Sequence, residues 1–156
     1  MKKTKKLGFK YHNFLKSFAL FALALINSVY AAFYFSGIMY SWTGDPSINA
    51  DMIYTIYGQA LKTLDLTYGG LLALATIFLL IARHRLANLS KDGVYITMAA
   101  FIYQGIVPFV YSIWGNSIMS SAKSVSLKNV ILLTFFASLS FLTFRYYCKR
   151  EEMFKK

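Results

Sequence analysis

A chain of 156 residues that is 57% hydrophobic has room for one domain and carries too much apolar surface for an ordinary soluble protein of that size. Its formal net charge of +11 would point to nucleic acid if the basic residues formed a patch on a folded surface. They instead flank four long charge-free runs, residues 17–43, 66–82, 94–122 and 129–144, which argues against nucleic acid and makes membrane lipid the expected surrounding.

A helix needs about 20 apolar residues to cross a hydrocarbon core of ~30 Å, and each run reaches that length with its flanks. The expected fold is therefore all-α, a four-helix transmembrane bundle in which residues 1–156 form a single membrane domain. Every Lys and Arg except Lys62, Lys123 and Lys128 falls on one side of the four runs. Basic residues resist translocation, so that side is expected to be cytoplasmic, with both termini inside a multi-pass plasma-membrane protein.

Residues 1–16 form a basic tail in which Phe9, Tyr11 and Phe14 interleave with lysines. The first span covers 18–40. Its basic start, its apolar core and Val29-Tyr30-Ala31 fit a cleavable signal peptide. Apolar residues continue through 32–40, so the span reads as a retained helix. Ala24, Ser28, Ala32 and Ser36 recur every four residues and mark a helix-packing face, since small side chains let backbones approach closely.

Gly44-Asp45-Pro46-Ser47 is a turn cluster. An amphipathic helix is then expected over 50–63, capped by Asn49 or Asp51. Met52, Ile53, Ile56, Tyr57, Ala60, Leu61 and Leu64 lie on one face and Thr55, Gln59, Lys62 and Thr63 on the other, so the helix is expected to lie in the outer interface or else to cover the mouth of the bundle. The second span covers 64–82, entering at Asp65, Tyr68, Gly69 and Gly70. The third covers 94–114 and holds Gln104, Gly105 and Pro108, with a kink expected near Gln104. The fourth covers 125–147, followed by a cytoplasmic tail, 148–156. Trp42 and Trp114 at outer ends, with Tyr146 and Tyr147 at an inner end, make the expected aromatic belt.

No metalloprotease helix, nucleophile elbow or phosphate loop is present in the sequence. His12 and His84 lie in basic flanks and read as solvated. Cys148 is the sole cysteine, which excludes an intramolecular disulfide. No catalytic residue, metal site or cofactor is expected, and the chain does not read as an enzyme.

The polar positions inside the spans carry the functional reading. Asp65 is either an acid favoured by the dipole at a helix entrance or in an interfacial ion pair with Lys62, or else a cation or ligand contact in an outer vestibule beside Tyr68. Asn27 and Gln104 sit near the midplane. An amide in hydrocarbon is costly unless bonded, so a hydrogen bond between spans one and three is expected. The alternative is a polar substrate site there, with Pro108 breaking the helix and Thr134 and Ser138 joining the lining.

Residues 64–93 read LDLTYGGLLALATIFLLIARHRLANLSKDG. The Asp-x-x-Tyr-Gly entry and Arg-x-Arg-Leu-Ala exit resemble small four-helix membrane proteins of Gram-positive bacteria. The resemblance implies a bacterial plasma membrane and brings neither an assigned activity nor a catalytic residue. Two functions follow from the residues. The first is a non-enzymatic accessory or assembly component that binds a membrane protein partner or itself as a homo-oligomer. The second is a small transporter or channel-like protein with a polar path between spans one and three.

Overall fold

The computed structural model describes residues 9–41, 48–119, 127–151 and 154. The tail before Phe9, Trp42, the turn at Gly44-Asp45-Pro46-Ser47 and the start of the fourth span at 125–126 lie outside them. All regular structure among the described residues is helical. Four helices are long and apolar enough to cross a membrane: α1 (Lys10–Ser36), α2 (Ala50–Ala87), α3 (Lys91–Ile118) and α4 (Leu127–Cys148). Large apolar side chains, among them Phe21, Leu25, Ile77, Ile81, Ile113 and Phe141, face outward along them. That pattern is compatible with a membrane protein.

Each helix packs on the next in the chain, α1 on α2, α2 on α3 and α3 on α4. The buried positions explain the geometry. In α2 they include Leu61, Asp65, Tyr68, Leu72, Ala75, Leu79, Ala82 and Leu86, alternating steps of four and three. The same alternation runs through Leu20, Ala24, Asn27 and Ala31 of α1 and Phe136, Ser140, Thr143 and Tyr147 of α4. A repeat averaging 3.5 residues keeps one seam facing the neighbour, the arrangement of left-handed bundles. At the start of α1 the buried residues are His12, Leu15 and then Leu20. The five-residue step coincides with a π-helical turn, Leu15–Ala19. Its extra residue brings both halves of α1 onto one buried face.

The interior divides into two clusters. At the basic end Leu20, Ala24, Leu79, Leu86, Phe101, Phe136 and Tyr147 join all four helices. At the opposite end Ala31, Tyr68, Leu72 and Val107 pack with Tyr34, Tyr103 and Tyr111, and α4 contributes nothing. Inside a bilayer such contacts gain little from leaving water; close packing and polar contacts must hold the helices together. Two glycines permit that closeness. A Cβ on Gly105 would lie 3.0 Å from the Leu133 Cα, and one on Gly93 would lie 2.7 Å from backbone atoms of Arg85 and Leu86.

Residues expected as an amphipathic helix, 50–63, and a separate span, 64–82, form one helical stretch, Ala50–Ala87, with a break at Gly58 (φ 80°, ψ −179°). Asn49 caps it, its Oδ1 accepting the Met52 N–H at 2.8 Å. Before Gly58 no residue is buried, and the inward seam starts at Leu61. The turn in the chain therefore sits where glycine tolerates a positive φ, not where polarity changes. At the end of α1 a second glycine, Gly37 (φ 72°), ends the helix before the short turn Ile38–Ser41.

Candidate functional site

The seam of α2 places Asp65 and Tyr68 between Leu61 and Leu72, facing the bundle interior. Asp65 is 0% exposed. Its Oδ2 accepts hydrogen bonds from the Tyr40 hydroxyl at 2.6 Å and the Tyr54 hydroxyl at 3.1 Å. Its Oδ1 accepts one from Tyr111 at 2.7 Å. The donors come from three places: the turn after Gly37, the segment before Gly58, and α3. Tyr68 stacks on Tyr111 with centroids 4.1 Å apart, and Tyr34 meets both rings edge-on at 4.7 and 5.5 Å. Tyr40 meets Tyr54 edge-on at 5.7 Å. Five tyrosines thus surround one carboxylate.

No cation pairs with it among the described residues. Among the described residues the ion pair found is Lys91–Glu151, at the other end of the bundle. The expected partner Lys62 instead holds its Nζ 5.9 Å from the centre of the Tyr54 ring. The reason is directional: Asp65 points along the inward seam, whereas Lys62 is exposed. Asp65 precedes Arg83 by eighteen residues. At ~1.5 Å per residue that is about 27 Å of helix, a length comparable with a ~30 Å hydrocarbon core.

A second polar level lies where the two apolar clusters meet. Asn27 is 5% exposed, between Ala24 and Ala31, and Gln104 is 7% exposed, between Phe101 and Val107. The expected hydrogen bond between them is not made through their amide nitrogens: neither Asn27 Nδ2 nor Gln104 Nε2 has a partner. α1 and α3 each pack on α2, which holds the two amides on different neighbours. α3 runs on as helix through Pro108. Proline has no N–H, so the Gln104 carbonyl loses its donor within the helix. One level of α3 therefore offers both a free amide donor and a freed carbonyl. A buried polar group without a partner costs about 1–3 kcal/mol. Thr134 and Ser138 do not join this lining. Both are exposed, and Thr134 donates to the Val130 carbonyl at 2.9 Å.

Of the small residues on α1, Ala24 is buried, while Ser28, Ala32 and Ser36 are exposed. Successive four-residue steps turn about 40° past a full circle, so the stripe leaves the seam as it climbs. Ser28 Oγ donates to the Ala24 carbonyl at 2.9 Å and lies 3.4 Å from the Thr76 hydroxyl on α2.

At the basic end the structure corrects the reading of His12 as solvated. It is 2% exposed, with Nδ1 2.8 Å from the Tyr147 hydroxyl. Beside it the Tyr11 hydroxyl lies 2.9 Å from Thr143 Oγ1. These bonds tie the start of α1 to the end of α4. His84 is exposed and bonds Asn88 at 3.2 Å. Among the described residues no cluster of three His, Cys, Asp or Glu side chains is placed to hold a metal ion.

Asp65 and Tyr68 were singled out together in the sequence, but Tyr34, Tyr40, Tyr54 and Tyr111, which the structure brings beside them, were not. Tyr40 and Tyr111 each lie within three residues of a tryptophan, a place where tyrosines are expected as membrane-interface aromatics. The available signal was chemical: a carboxylate on an apolar seam needs donors from other elements, and tyrosines are the donors at that depth. Comparisons with protein-family models, curated proteins and solved structures find no match.

Proposed function

We propose that the chain is a small multi-pass membrane protein, transporter- or channel-like, that receives a small organic cation of the ammonium type at Asp65. The observation that carries this reading is a wholly buried carboxylate with three phenol donors and, among the described residues, no paired cation. Removing a carboxylate from water is costly, and charge-assisted hydrogen bonds offset only part of that cost. A cation seated against the carboxylate and the tyrosine faces gains both the charge attraction and cation–π contact.

Oδ2 is the oxygen to which access is easiest, because Tyr40 and Tyr54 both sit on short segments next to glycines of positive φ. Release of those two phenols uncovers it from the end opposite the basic residues. With both termini cytoplasmic, as the charge asymmetry implies, that end faces outward from a bacterial plasma membrane. Asn27 and Gln104 then supply the next polar level inward. Nothing in this path performs covalent chemistry, so the reading is non-enzymatic.

The test is tyrosine fluorescence of the full chain in mild detergent, titrated with tetramethylammonium chloride against sodium chloride at equal ionic strength. A saturable response in the native chain that is lost in Asp65→Asn supports the reading. Identical titrations for the two proteins refute it.

A second reading, an assembly component that binds itself or a membrane protein, is favoured by the exposure of Ala32 and Ser36 on the outside of α1. Small side chains there admit another helix. Ala32→Leu should then change the assembly seen by native mass spectrometry, and an unchanged assembly removes this support.

A further inference from the structure

Tyr11, Leu142, Arg145, Tyr146, Lys149 and Arg150 line an open, shallow groove of about 500 Å³ at the basic end of the bundle. The spacing of its α4 side is the reason it exists. Leu142, Arg145 and Tyr146 fall at spacings of three and four on α4, which puts them on one helical face, and Lys149 and Arg150 follow in the turn just past its end at Cys148. Tyr11 closes the groove from α1, its ring 4.8 Å from that of Tyr146 and its hydroxyl on Thr143. Three basic residues line the space, and among the described residues no carboxylate does. Glu151 is turned away onto Lys91, with Oε1 2.9 Å from Nζ.

Arg150 is held in place before any ligand arrives. Its guanidinium carbon lies 3.8 Å from the Tyr146 ring centre, and Nη1 donates to the Tyr146 carbonyl at 3.2 Å. Its Nε–H is buried and has no acceptor. A fixed guanidinium with an unused donor, beside two further cations, is suited to an oxyanion. The groove also has a polarity gradient. Leu142 is 55% exposed, and it lies about 9 Å at ~1.5 Å per residue from the helix end at Cys148, where Lys149 and Arg150 follow. An apolar lip that gives way to guanidinium groups over that length matches an acyl chain below a phosphodiester. Free phosphate would use the cations and leave the lip idle.

We infer that this groove binds one anionic phospholipid, with its phosphodiester on Arg145, Lys149 and Arg150 and an acyl chain along Leu142. The site is independent of Asp65 and lies at the opposite end of the bundle.

Native mass spectrometry of the full chain in a neutral detergent tests it, with phosphatidylglycerol, phosphatidylcholine or inorganic phosphate added. One phosphatidylglycerol adduct is expected in preference to phosphatidylcholine, unaffected by millimolar phosphate. Each basic side chain beside an anionic headgroup contributes about fivefold in affinity. Arg145→Gln with Arg150→Gln should therefore weaken the adduct about twenty-five-fold. The charge-matched pair Lys10→Gln with Arg85→Gln should leave it intact. Arg150→Lys keeps the charge but not the Nε–H, and should weaken it several-fold while preserving helix content by circular dichroism. Equal binding of the two lipids, equal losses from the two Gln pairs, or an unaffected Arg150→Lys would overturn the site. Displacement of the lipid by inorganic phosphate would overturn the lipid assignment.

Discussion

Removing the hydroxyl of Tyr111 is the sharpest perturbation of the carboxylate cluster. The two carboxylate oxygens are unequally supported. Oδ2 receives Tyr40 and Tyr54, whereas Oδ1 receives Tyr111. Tyr111→Phe keeps the ring stacked on Tyr68 and strips Oδ1 of that donor. A hydrogen bond to a charged group contributes about 1.5–3 kcal/mol. A chain of this length shifts its melting point by about 2–4 °C per kcal/mol, so a fall of about 3–12 °C is expected. Tyr54→Phe should cost less, because its bond is the longest at 3.1 Å and Tyr40 remains on the same oxygen. Removing Tyr40 and Tyr54 hydroxyls together should cost more than the sum of the single changes, since only the double variant strips Oδ2 of both its donors among the described residues. Circular dichroism melts of the full chain in one mild detergent measure all four variants. A Tyr111→Phe protein no less stable than Tyr54→Phe, with strictly additive Tyr40 and Tyr54 effects, would show that the carboxylate is not held in this way.

Gly58→Ala isolates backbone strain from crowding, because a Cβ there meets nothing within 4 Å while φ is +80°. A loss of about 1–3 kcal/mol, with faster hydrogen exchange over residues 50–57, is expected; exchange and stability like the native chain would count against a functional break at this glycine. Gly93→Ala acts oppositely, driving a methyl to 2.7 Å from the Arg85 and Leu86 backbone. Overpacking of this kind costs about 1–3 kcal/mol, and an unchanged melting point would mean that the turn between α2 and α3 relaxes freely. Glu151→Gln should leave the melting point unaltered at physiological salt, since both partners of the Lys91 pair are well exposed. The hydrogen bond from Lys91, followed by its charge, holds the Glu151 carboxyl below the usual glutamate range. The pair's contribution is therefore present at neutral pH and disappears as pH falls through that lowered value. A carboxyl carbon that titrates at the ordinary position by NMR would contradict it.

The four helices were readable because their cause is local. A charge-free run of sufficient length has to satisfy its own backbone polar groups, and a helix does so within one segment. Boundaries were less legible where a different local rule competed. The 50–63 helix and the second span were separated at a change of polarity, but the structure breaks at Gly58, a conformational position. Asn49 as a cap was legible, because an amide side chain before an apolar-periodic segment has one favourable use there. His12 was read as solvated because its neighbours in sequence are lysines. Its neighbour in space is Tyr147, which belongs to the far end of the chain.

What the amino-acid order determined by itself is the helical content, the four apolar lengths, the asymmetry of charge and the presence of Asp65, Asn27 and Gln104 within apolar surroundings. Each of these depends on a residue and its near neighbours in sequence. Only the tertiary structure decided which polar groups found partners. Asp65 collects hydroxyls from Tyr40, Tyr54 and Tyr111, residues as many as forty-six positions away, while the amide nitrogens of Asn27 and Gln104 remain without acceptors. Partnership depends on the rotation and depth of one helix against another, and those are set by the packing of whole seams, not by any single stretch of sequence.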